Sequence, residues 1–88
     1  SLGAYQDVTL VTTPVLPLAS LLNIPGVLRA HTEASKTTFT TATVTTTLAA
    51  VLQLIEQSNA SLVELQVRRS SLEEVFLRLT ATQPTGAE

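Results

Sequence analysis

Histidine occurs once in this sequence, at position 31, and cysteine not at all. A metal site built on His31 needs carboxylates such as Glu33, and that pair falls short of the three or four protein ligands zinc usually takes. A surface or sheet-edge histidine is the plainer reading. His31, Asp7 and one of the serines can be written as a nucleophilic triad, but no nucleophile-elbow pattern is present to hold a serine against the histidine. Arg68 and Arg69 offer an anion two positive charges. With Glu73 and Glu74 close behind them, a solvated face or an interdomain ion pair is the simpler assignment. Gly3, Gly26 and Gly86 are scattered, so no glycine-rich turn ending in lysine and a hydroxyl residue exists to cradle phosphates on backbone N–H groups. The sequence thus predicts no catalytic residue, no metal ligand set and no cofactor site of its own.

Bulk properties narrow the partners. A net charge of −2, with two phenylalanines and one tyrosine, supplies neither attraction for a phosphate backbone nor a row of base-stacking platforms; nucleic acid is not an expected partner. The hydrophobic fraction of 44% suits a folded domain, because it provides enough apolar surface to offset chain entropy. Apolar runs are broken by Pro14, Pro17, Pro25 or Gln53, well short of the roughly 20 residues of a spanning helix. Absence of cysteine fits a reducing compartment. There is no methionine, even at position 1, so we expect a piece cut from a longer protein.

The elements that must position these residues follow from periodicity. Asp7 to Thr13 is rich in β-branched residues and stops at Pro14, which predicts a strand. Thr13 can cap a short helix with Pro14 as its first residue, along which Val15, Leu18, Leu21 and Leu22 recur at helical spacing. After the turn Ile24-Pro25-Gly26, the stretches Val27 to Glu33 and Lys36 to Thr43 predict a hairpin turning at Ala34-Ser35. Its threonines pack well on a pleated surface, but their hydroxyls blur which side faces inward. From Thr46 to Ser58, Leu48, Val51, Leu52 and Ile55 form an apolar stripe. Leu54 lies off it. Asn59 marks the helix end, and Leu62 to Arg69 alternates, with Val63, Leu65 and Val67 on one side and Glu64, Gln66 and Arg68 on the other. The order is most economically folded as α+β, a ferredoxin-like βαββαβ antiparallel sheet with both main helices on one face and an extra C-terminal helix. Residues 3–81 make one domain and 82–88 a polar tail.

That last helix has a written start. Ser71 can accept from the Glu74 N–H while Glu74 reaches back to the N–H of Ser71, a capping box. Glu73 and Glu74 complement the helix dipole, and Glu74 with Arg78 is an i, i+4 pair. Leu72, Val75, Phe76 and Leu79 form the buried stripe. Leu77 lies about 140° from Leu72, on the polar side near Glu73. A leucine there is either an isolated surface residue or part of a face that docks on something else. Leu77, Glu73, Glu74 and Arg78 are therefore the interface candidates, with Leu54 a lesser one.

The run Val63 to Thr80, with Ser71-Leu72-Glu73-Glu74-Val75-Phe76-Leu77-Arg78-Leu79-Thr80 at its end, resembles the closing strand and helix of daunorubicin-resistance-type ABC transporter ATP-binding subunits. Leu22-Asn23-Ile24-Pro25-Gly26-Val27 is similar to the turn before that family's hairpin. Ser70 and Ala81 stand where the family usually has proline and glycine. The resemblance implies a non-catalytic accessory domain of a multidrug-type exporter, placed behind the ATP-binding domain that holds ATP and magnesium. It implies three partners: that ATP-binding domain, a second ATPase subunit and the membrane permease subunit. The location it implies is cytoplasmic, peripheral at the inner face of the membrane. A small-molecule-binding regulatory module of ferredoxin-like fold is the alternative, since fold alone does not decide function.

Overall fold

The computed structural model describes residues 5–70. Strand β1 (Gln6–Thr13) leads through helix α1 (Leu18–Leu22) to the hairpin β2 (Arg29–Glu33) and β3 (Lys36–Thr41), then through α2 (Val44–Gln57) to β4 (Ser61–Arg69). The four strands form one sheet in the order β2-β3-β1-β4, every neighbouring pair antiparallel. Each helix thus crosses between two like-directed strands with a third between them, which is the ferredoxin-like α+β plan. The extra C-terminal helix and the tail lie outside the described residues.

Alternation along the two central strands builds the core. Val8 and Leu10 of β1 and Phe39 of β3 are buried on one face with Leu16, Leu21, Val51 and Ile55 from the helical side. Thr37 and Thr41 flank Phe39 there, and both are buried. The hydroxyls of Thr41, Thr43 and Thr47 satisfy one another, at 3.0 Å for Thr41 to Thr47 and 2.8 Å between Thr43 and Thr47. Thr41 Oγ1 also accepts from the Thr43 N–H at 3.0 Å. Polar groups buried at the start of α2 are thereby paired, as burial requires.

Three local expectations change. The first helix does not begin at Pro14 under a Thr13 cap: Thr13 is the last residue of β1, and Pro17 holds the N-cap position. A proline pushes the residue before it out of the helical region, so Pro14 and Pro17 together delay the helix by one turn. Leu16 and Leu21 are buried as a result, while Val15 and Leu22 are exposed. In α2 the buried line is Thr47, Val51 and Ile55. Leu54 lies about 60° from Val51 and packs against the core, whereas Leu52, about 100° away on the other side, is exposed. The apolar residues alone omit Thr47, and with it the phase of the helix. In β4 the register against β1 shifts between Val11, paired with Glu64, and Thr12, paired with Leu62. Val63 is the extra residue of a bulge, so Leu62 takes the place opposite Thr12 that strict alternation denies it.

Two junctions are fixed by the backbone. The Ile24 carbonyl accepts from the Val27 N–H at 3.1 Å, around Pro25 and a Gly26 at φ +97°, a type II turn with proline and glycine where it needs them. Asn59, at φ +55°, ends α2. Its N–H donates to the Glu56 carbonyl and that of Ala60 to Ile55, both at 3.1 Å, closing a Schellman motif whose outer residue, Ala60, packs on the core.

Candidate functional site

The face of the sheet that α1 and α2 leave uncovered is polar, and its composition follows from register. Arg29, Thr40, Asp7 and Arg68 lie abreast across the four strands; the next row is His31, Thr38, Thr9 and Gln66, and the next Glu33, Lys36, Val11 and Glu64. In the first row Thr40 Oγ1 donates to Asp7 Oδ1 at 2.6 Å and accepts from Arg29 Nε at 3.3 Å. Thr40 is consequently buried although it faces away from the helices. In the second, the Thr9 and Thr38 hydroxyls meet at 3.2 Å. Between these rows and the β2–β3 turn runs a concavity of about 450 Å³ lined by Thr9, His31, Glu33, Lys36, Thr38 and Arg68, among others.

This arrangement brings His31 and Glu33 together as neighbours on β2, yet among the described residues no group of three histidine, cysteine or acidic side chains could hold a metal ion. Asp7 lies two strands and one row from His31 and is engaged by Thr40, so the two do not stand as base and orienter. Small-molecule pockets are concave and mostly apolar with a few convergent polar groups; here the named lining side chains are polar throughout. The face suits contact with another polar surface better than enclosure of a ligand.

Of the interface candidates, Leu77, Glu73, Glu74 and Arg78 lie outside the described residues. Leu54 is half-buried against the core, and Leu52 is the exposed leucine of its helix. The rows Arg29–Thr40–Asp7 and His31–Thr38–Thr9 were not singled out from the sequence because they exist only through strand register, which the threonine run left open. One signal could have found the first: an aspartate set among β-branched residues needs a hydroxyl or a cation beside it.

Among the described residues the chain is an α+β domain with both helices on one side of its sheet and a polar face on the other. The family model described as ATP-binding protein DrrA1-3-like, C-terminal domain, matches residues 4–80. The chain belongs to this family, as the closing motif implied, and so is the C-terminal domain of a DrrA-like ATP-binding protein. No curated protein and no solved structure matches it. Among the described residues no helix is long and apolar enough to cross a membrane.

Proposed function

We propose that the domain is non-catalytic and supports assembly of the ATP-binding subunits of an ABC-type exporter and their coupling to the membrane permease, at the inner face of the membrane. The observation that carries this reading is the family match itself, which runs through Glu73, Glu74, Leu77 and Arg78. Leu77, which helix stability does not account for, is part of the domain that follows an ATP-binding unit. The sequence has no phosphate-cradling loop of its own, so nucleotide chemistry falls to that unit. Exposed leucines on the helical side, Leu22 and Leu52, and the outer part of Leu54 add apolar surface that a neighbouring domain can cover.

Leu77→Asp in the full-length ATP-binding protein tests it. The isolated domain should keep its circular dichroism spectrum, while ATP-dependent association of the full-length subunits, read by sedimentation, weakens. Association unchanged from the unmodified protein would overturn the assembly role.

A further inference from the structure

The two edges of the sheet are built differently. β2, at one edge, has five residues and carries exposed Arg29, His31 and Glu33, a short charged strand of the kind that discourages strand addition. β4, at the other, runs nine residues, all exposed, and among the described residues no strand lies beyond it. Even its helix-side row stays in contact with water: Leu65 is 37% and Val67 42% exposed. One hydrogen bond tells which backbone groups point outward. The Ser70 N–H donates to the Tyr5 carbonyl at 3.3 Å, and alternation along an antiparallel ladder then turns the even-numbered residues of β4 toward β1. The N–H and C=O groups of Leu65 and Val67 are left directed off the sheet. The bulge at Val63 bends the beginning of the strand out of line, so the stretch open to a neighbour is Glu64 to Arg68.

We infer that this stretch pairs antiparallel with the same stretch of a second copy, about a two-fold axis at Gln66, joining two four-stranded sheets into one of eight strands. In that register Leu65 of one copy lies opposite Val67 of the other, twice, and these are the residues whose backbone groups point outward. On the polar face Glu64 meets Arg68 on both sides of the axis, with Gln66 opposite Gln66. Sliding by one rung, which moves the axis to Leu65 or Val67, sets only one of the two charges against glutamine and breaks both Glu64–Arg68 pairs. Sliding by two sets Glu64 against Glu64 or Arg68 against Arg68. Opposite charges across a strand pair are favourable and like charges are not, so the sequence of the strand selects this register. The pairing draws on β4 alone and does not depend on the assembly role proposed for Leu77.

Sedimentation velocity of the 88-residue chain, from micromolar to millimolar concentration, should show a reversible dimer of twice the 9.3 kDa chain mass. Glu64→Arg or Arg68→Glu, both at exposed positions, should each weaken it by roughly tenfold or more, and the two together should restore it. Gln66→Cys should give a disulfide-linked dimer on oxidation, because a non-hydrogen-bonded pair places its Cα atoms about 4.5 Å apart, within disulfide range. Ser35→Cys, in the β2–β3 turn, should not. A monomer at every concentration would assign the edge to some other occupant and overturn the inference. So would a dimer indifferent to both single reversals, or one in which Gln66→Cys fails to cross-link.

Discussion

Gly26 shows how a single residue couples the turn to the helix beyond it. Its φ of +97° suits glycine, and a Cβ there would run into the hydroxyls of Thr47 and Thr43. Gly26→Ala should therefore cost roughly 2–4 kcal/mol in urea unfolding, partly from backbone strain and partly from breaking up the threonine hydroxyl group. Thr47→Val should cost about 1–2 kcal/mol by itself, since it removes a partner from the buried Thr41 hydroxyl. In the Thr47→Val background the penalty of Gly26→Ala should shrink, and a double-mutant cycle measures that coupling. Ala34, at φ +57° in the two-residue β2–β3 turn, is the opposite case. Ala34→Gly relieves strain there and should raise stability by about 0.5–1 kcal/mol.

For the elements, the phase of α2 is the most direct test. Leu54→Ala should destabilise the domain by about 1–2 kcal/mol and Leu52→Ala by less than about 1 kcal/mol, because only Leu54 packs on the core; thermal unfolding of the two variants ranks them. At the end of the same helix, Asn59→Val should cost about 1–2 kcal/mol by forcing a β-branched side chain into the left-handed region, while Asn59→Gly should be nearly neutral. The strands β1, β3 and β4, the hairpin turn and the end of α2 are legible in the sequence, since β-branched runs, a two-residue turn and the stop at Asn59 are all local signals; its start at Val44 rather than Thr46 is not. What escaped was whatever depended on a partner. Thr47 belongs to the buried stripe only because Thr41 and Thr43 satisfy its hydroxyl. Leu62 comes opposite Thr12 only because Val63 is displaced against β1. The onset of α1 depended on two prolines three residues apart acting together.

Over the whole molecule stability is thin. Phe39 is fully buried in a central strand, beside Val8 on one side and Ala30 on the other, and Phe39→Ala should cost about 3–5 kcal/mol. A chain this short has only some 5–10 kcal/mol in all, so the variant should melt near ambient temperature in calorimetry. The family of the domain was readable from its closing motif, because that motif is contiguous in the chain. The polar rows of the open sheet face were not, since each is drawn from four strands. The meeting of Tyr5 and Ser70 has a mechanical consequence. The chain enters the sheet and leaves it at one corner, on adjacent antiparallel strands. Tension between the incoming and outgoing chain would thus load the β1–β4 ladder as a zipper, opening it rung by rung from that corner while β2 and β3 stay together.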